Sequence, residues 1–310
     1  MTETISPARE TDAPTVLRGR PSPEGANIRT WIGFKHFVYL VEQAVLQWLI
    51  DRGAGAGTLF HEHGLGVRIT DCSVQLPAVL LLDDEVDARV AARDDGRLDV
   101  RLTAVRDGAE VTVLRGKVAF ALVRERTADR YRPAPPALAR WEVAEPVEPE
   151  PLAVAAGEPV EAVLATEPGS YLWSWRAPYF YCHYSDTVQH SGFVRALEEV
   201  VDRFLADRGI SVGRLLRERS WIPVVSRVAL RLHAPARMEE TIHTVFTVRE
   251  IMRGVMFDAR MDCHVLRDGA LVPVATARIL HGYAIAAGEG AGTLAELDDG
   301  VVRALLGDRP

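Results

Sequence analysis

Two stretches of this chain are built and finished alike, and that repeat constrains the fold more than any other feature. FKHFVYLVEQAVLQWLIDRG and SGFVRALEEVVDRFLADRG both close on Leu-x-Asp-Arg-Gly, so that Leu49, Asp51, Arg52 and Gly53 match Leu205, Asp207, Arg208 and Gly209. Phe34, Phe37, Val38, Val41, Val45, Trp48 and Leu49 fall at helical spacing, as do Phe193, Val194, Leu197, Val200, Val201, Phe204 and Leu205. Each stretch therefore predicts a helix with one apolar face, and the closing glycine suits the left-handed backbone just beyond a helix end. Strand-like runs follow both helices. LGVRITDCSVQLPA, EVDARVAAR, RLDVRLTAV and EVTVLRGKVAFALV come after the first; PVVSRVALRLHAPA, TIHTVFTVRE, VMFDARMDCHVL and LVPVATARILHGYAI come after the second. Asp107-Gly108 and Asp268-Gly269 separate the last two runs of each set, as hairpin turns do. One long helix followed by antiparallel strands, used twice, predicts an α+β chain made by duplication.

The 310 residues fit two domains of ordinary size. Residues 1–26, rich in Pro, Thr, Glu and Arg, are expected to be a disordered arm. The first domain is expected over 27–130 and the second over 169–287. Between them, 131–168 reads as a Pro/Glu/Ala-rich linker, because proline removes donors and disfavours a core strand. A tail over 288–310 carries a short helix in LAELDDGVVRALLG. A net charge of −7 argues against a general nucleic-acid binder. The three cysteines, Cys72, Cys182 and Cys263, show no CxxC or Cys/His spacing, so neither a zinc site nor a disulfide framework is expected. The start lacks a signal-peptide core, and no apolar run reaches the roughly 18 residues of a spanning helix. The expectation is a cytoplasmic protein without a membrane partner.

The second half resembles the 4-hydroxybenzoyl-CoA thioesterase group of the hotdog superfamily. The likeness runs from about Tyr184 to Ile285. It is carried by Leu197-Glu198-Glu199, by Phe204-Leu205 and Gly209-Ile210, and by LLRERSWIPVVSRVALRLHAPARMEETI. The first half enters mainly through its likeness to the second. The resemblance implies a double hotdog, each half a long central helix wrapped by a curved antiparallel sheet, the two forming an intrachain pseudo-dimer. It also implies a thioester whose pantetheine arm threads between the halves. The reacting carbonyl would then lie near a helix start, where free N–H groups hold developing negative charge. No cofactor is then needed beyond the CoA or phosphopantetheine that the substrate carries. The implied partners are an acyl-CoA or an acyl carrier protein, and a homodimer of double hotdogs is a further assembly open to such a chain.

The candidate site is YFYCHYSDTVQHSGF. Thioesterases of the group carry Asp-x-Asp here, whereas this chain reads Asp186-Thr187-Val188, with valine at the second acid position. His190 is a candidate general base or acid, histidine being the side chain suited to that role near neutrality, and Asp186 is placed to orient it. Ser191 and Gly192 stand at the helix start, Gly192 to let a substrate approach the backbone. Tyr184, with Tyr179 and Tyr181, is expected to line an acyl pocket or pack on the sheet. Glu198 and Glu199 compete for a carboxylate role; in phenylacetyl-CoA thioesterases, which the His190-Ser191-Gly192 run also resembles, a carboxylate stands where Glu199 does. Glu42 takes the place of Glu198 in the first helix, while Gln43 replaces Glu199. Thr30 and Phe34 stand where Asp186 and His190 do, so one working site is expected, built mostly by the second half and walled by the first. His36 faces that cleft or is simply packed. Arg214, Arg217, Arg219 and Arg237 are candidates for meeting a phosphate or an acidic carrier, or are a solvated loop.

Three functions follow. The first is an acyl-thioester hydrolase using His190 with Asp186 or a helix glutamate. The second is a 3-hydroxyacyl-thioester dehydratase or enoyl hydratase, whose R-specific outline Asp186, His190 and Ala196 resemble without its Asn-Pro pair. The third is a non-catalytic acyl-thioester-binding protein.

Overall fold

The computed structural model describes residues 14–143 and 149–307. Its frame is a twelve-stranded sheet, antiparallel except for one short pairing, carrying two long helices. The first half runs β1 (Thr15–Gly19), α1 (Phe34–Ile50), β2 (Leu65–Gln75), β3 (Val86–Ala92), β4 (Leu98–Arg106) and β5 (Ala109–Arg124). The second runs β6 (Tyr171–Arg176), α2 (His190–Asp207), α3 (Val212–Arg219), β7 (Trp221–Leu232), β8 (Thr241–Met252), β9 (Met256–Arg267) and β10 (Ala270–Ile285), then α4 (Asp299–Leu306). Across the sheet the order is β1-β3-β4-β5-β2-β7-β10-β9-β8-β6. Each half thus repeats one topology, and the two meet where β2 pairs antiparallel with β7.

The sequence signals have the expected physical form. Asp107-Gly108 and Asp268-Gly269 both have positive φ at each residue, as the tight β4–β5 and β9–β10 hairpins require. Gly53 and Gly209 are left-handed just past the two helices. The apolar faces of α1 and α2 are buried in one continuous core, from Phe37 and Trp48 to Phe193 and Phe204. Asp298 caps α4 by accepting from the Val301 amide at 3.0 Å, and Val301, Ala304 and Leu305 bury its inner face.

The joint has a local twofold character. Arg195 donates to the Tyr39 hydroxyl at 2.6 Å, and these residues are 156 positions apart, the same spacing that relates the two Leu-x-Asp-Arg-Gly endings. In the sheet, Ser73 faces Ala229, again an equivalent pair. Equivalent residues that meet each other mark an axis through the helix pair and the β2–β7 seam.

Two expectations on the segments outside this plan need correction. The disordered arm does not extend to residue 26. Thr15 to Gly19 pair with Val90 to Val86, the Thr15 hydroxyl donates to Asp51 at 2.7 Å, and Arg18 pairs with Asp87. This edge strand is the counterpart of β6, which pairs with β8 in the same manner, so the repeating unit begins at β1 rather than at residue 27. The run is only five residues long and lies between prolines, which hid its alternation. Residues 1–13 of the expected arm lie outside the described residues.

The 131–168 segment is a packed strap rather than a free linker. A 3₁₀ turn at Pro136–Trp141 buries Leu138 and Trp141, with Trp141 stacked on Phe120 at 5.3 Å and edge-on to Trp48 at 5.1 Å. Glu142–Val143 then pairs parallel with β5, and Leu152–Ala153 pairs with β10, which ties the strap to both halves. A few large apolar side chains suffice to dock an otherwise polar stretch. Residues 144–148 of the strap lie outside the described residues. Among the described residues no helix is long and apolar enough to cross a membrane.

Candidate active site

His190 is the first residue of α2, with Gln189 at the cap position and no side chain capping the helix. The leading amides of a helix have no acceptor within it, so this start keeps its positive end available. The segment before it is held from both sides. The Val188 amide donates to the Ala236 carbonyl at 2.8 Å, Gln189 to Tyr181 at 2.8 Å, and the Met238 amide to the Asp186 carbonyl at 2.7 Å. That fastening fixes where the imidazole sits.

The imidazole is only 4% exposed. Its Nδ1 lies 2.7 Å from a carboxylate oxygen of Glu42, which comes from the middle of α1 in the other half. Its Nε2 has no protein partner among the described residues. His190 and Glu42 both line a cavity of about 370 Å³ at the joint, together with Val45, Phe120, Tyr184 and Phe193. A carboxylate on Nδ1 favours the tautomer with the proton there, leaving the Nε2 lone pair free to take a proton. It also stabilises the imidazolium that results.

The other expected site residues divide. Tyr184 is in the cavity wall, held at a positive φ of 57° and stacked on Phe60 at 5.7 Å. Asp186 does not orient His190. One of its oxygens accepts from the Arg126 guanidinium, so it fastens the pre-helix loop to the first half. Ser191 and Gly192 are buried but line neither of the cavities at the joint. At Gly192 a Cβ would stand 3.0 Å from Val188 and 3.2 Å from Tyr181, so the glycine serves the packing of the preceding hairpin, not substrate approach. Glu198 pairs with Lys35 at 2.7 Å, and the exposed Glu199 with Arg203 at 2.7 Å. Both belong to a second cavity at the start of α1. The helices cross so that the mid-helix carboxylate of each faces the start of the other, which puts Glu198 and Glu199 out of reach of His190. His36 is packed against Tyr39 and is absent from both cavity walls, and burial lowers its pKa. Tyr179 is exposed, and Tyr181 lines the second cavity.

Glu42 is the residue that sequence reasoning passed over. Its signal was the equivalence to Glu198, combined with the rule that a twofold joint pairs residues crosswise. His183 and Arg68 complete the wall. Burial, with the Arg68 charge second, pushes His183 down to about 4 and keeps it neutral. Arg68 binds Glu125 at 3.0 Å, and Glu125 accepts from Ser185 at 2.7 Å, a buried network that stitches the halves beside the cavity. Next to it an arginine-rich recess is lined by Arg68, Arg124, Arg126, Arg130 and Arg237, with Glu125 and Asp129 also in its wall.

Comparison with known proteins agrees with this architecture. Residues 175–305 match the profile of the thioesterase-like superfamily. Among solved structures, the chain is similar to a putative oleoyl thioesterase from Lactobacillus plantarum, at 10% identity and a TM-score of 0.58 over 88% of this chain and 97% of that one. It is similar to a 12:0-ACP thioesterase from Umbellularia californica, at 11% identity and 0.58 over 87% and 94%. An acyl-ACP thioesterase from Bacteroides thetaiotaomicron VPI-5482 aligns at 14% identity and 0.53 over 86% and 97%. No curated protein matches the sequence significantly. The fold is a double hotdog.

Proposed function

We propose that this double-hotdog chain, whose second half carries the thioesterase-like superfamily match, hydrolyses an acyl thioester in the cavity between the start of α2 and the middle of α1. The observation that carries this reading is the His190–Glu42 pair, 2.7 Å apart across the joint, with Nε2 otherwise unpartnered at an uncapped helix start. His190 Nε2 takes a proton from water as the oxygen attacks the thioester carbonyl carbon. Glu42 holds Nδ1–H and balances the imidazolium. The start of α2 at His190, with the positive end of the helix behind it, stabilises the charge that develops on the carbonyl oxygen. As the tetrahedral intermediate collapses, the C–S bond breaks and His190 returns the proton to the departing sulfur, giving a carboxylic acid and a thiol.

The apolar wall of Val45, Phe120 and Phe193 suits the acyl part. The neighbouring recess suits the phosphate of CoA or of a carrier protein's phosphopantetheine, because Arg124 and Arg130 make no ion pair among the described residues. The reaction asks for no other cofactor. Release of free thiol from acyl-CoA or acyl-carrier substrates tests the reading. Loss of enone absorbance from a crotonyl thioester without thiol release would replace it with a hydratase, and tight binding without turnover would replace it with an acyl binder.

A further inference from the structure

The second cavity is the twofold counterpart of the first. It lies at the start of α1, where Gly33 is the cap residue and no side chain caps the helix, and it is walled by α2 and β7. Its volume is about 920 Å³, within the ~300–1,000 Å³ in which proteins hold small organic ligands. At several equivalent positions its wall carries a less polar residue than the first cavity does, although Lys35, Arg195, Glu198, Glu199 and Asp202 also line it. Phe34 stands for His190, Trp31 for Thr187, Gly33 for Gln189, Pro77 for His233 and Val224 for Arg68. The carboxylate equivalent to Glu42 is Glu198, and it is held by Lys35.

The trend reverses where Asp202 takes the place of Leu46, and again at one buried position. His281 replaces Phe120 in the wall; it is 3% exposed, and its Nδ1 has no partner among the described residues. A buried polar atom without a partner is costly in a dry apolar setting, and a ligand oxygen or bridging water there would satisfy it. Burial alone pushes this imidazole down to about 3, so it offers a neutral group rather than a charge.

We propose that this cavity is a second acyl-thioester site, one that binds an apolar acyl group and leaves it uncleaved. The choice of ligand rests on the hydrolase reading above, because the cavity shares its frame with the site that reading describes. The dyad for cleavage is missing: phenylalanine stands at the helix start where the first cavity has His190, and the Lys35–Glu198 pair ties up the carboxylate equivalent to Glu42. The space for the acyl chain is larger than in the catalytic cavity, reaching Met256 and Ile279 under the second half of the sheet.

The test is a stoichiometry. The full chain is titrated calorimetrically with a non-hydrolysable thioether analogue of a medium-chain acyl-CoA, and thiol release from the corresponding thioester is measured in parallel. Two equivalents per chain are expected in the wild type. Val201→Trp, which fills the second cavity from α2, and Val79→Arg, at its exposed rim, are each expected to reduce this to one while thiol release at low substrate stays within twofold. His190→Ala is expected to keep two equivalents and lose turnover. One equivalent in an active wild type, unaffected by Val79→Arg, overturns the second site and leaves the hydrolase intact. Absence of both binding and thiol release removes the second site along with the hydrolase reading.

Discussion

The two cavities share one frame but not one chemistry. At the start of α2 an imidazole meets a carboxylate brought from the other helix; at the start of α1 a phenyl ring occupies the same place, and the matching carboxylate is bound by a lysine. Duplication supplied two helix starts, two mid-helix glutamates and two seams. What separates the sites is a handful of side chains on one repeated topology. On the proposed reading, the residues at the crossing, and not a helix start alone, set which cavity hydrolyses.

The largest separation between the cavities is expected from His190→Ala. Loss of a positioned base typically costs about 10²- to 10⁴-fold, so kcat should fall in that range while circular dichroism and Tm stay near wild type. Retention of most activity would move the chemistry away from the α2 cavity. Glu42→Gln comes next. A hydrogen bond to a charged partner is worth about 1.5–3 kcal/mol, or roughly 10- to 150-fold in kcat/KM. The parallel Glu198→Gln change, at the equivalent position, should stay within twofold. Equal losses in the two variants would erase the distinction between the cavities.

How far the sequence reveals this distinction depends on the range of the interaction. The helices, their glycine stops and the Asp-Gly hairpins are set by contacts a few residues apart, and they read directly from periodicity and turn chemistry. His190 was legible for the same reason, being local to a recognisable helix start. Its partner was not. Glu42 lies 148 positions away, and nothing on α1 marks it off from its counterpart Glu198 until the crosswise packing of the helices is known. Asp186 was misread in the opposite sense: four residues from His190 it looked like the orienting acid, yet its guanidinium partner Arg126 comes from the turn just beyond β5 in the other half. The docking of Leu138 and Trp141 was hidden because an average over a proline-rich stretch conceals two anchoring side chains.

A subtler asymmetry concerns pH. His281 is buried and neutral in the fold, with its pKa pushed down to about 3 from an ordinary 6.5, whereas Phe120 at the equivalent position cannot titrate. Below pH 6.5 the unfolded chain takes up a proton that the folded chain refuses, so stability drops as pH falls through the window between 6.5 and 3. Removing that group should flatten the acid limb by about 2 kcal/mol between pH 8 and pH 5. Urea unfolding of His281→Phe at the two pH values measures it. An unchanged slope would mean that His281 gains a proton or a partner in the folded protein.

The gentlest gain is expected from moving the dyad across the axis. In a His190→Ala background, Phe34→His with Lys35→Ser would give the α1 start an imidazole and free Glu198 to accept its Nδ1–H. The frame is already in place: the helix start is uncapped, the carboxylate is at the equivalent position, and the cavity is open. The wall differs, however. Val224 stands where Arg68 belongs to the buried network, and Pro77 where His233 lines the cavity. Recovery should therefore be partial, about tenfold above the His190→Ala background in kcat/KM, equivalent to about 1.4 kcal/mol. Full recovery would reduce the difference between the halves to the dyad alone. No recovery, with the fold intact by circular dichroism, would shift the distinction to the surrounding wall, where Arg68, Glu125 and Ser185 hold the pre-helix segment in the geometry that the imidazole needs.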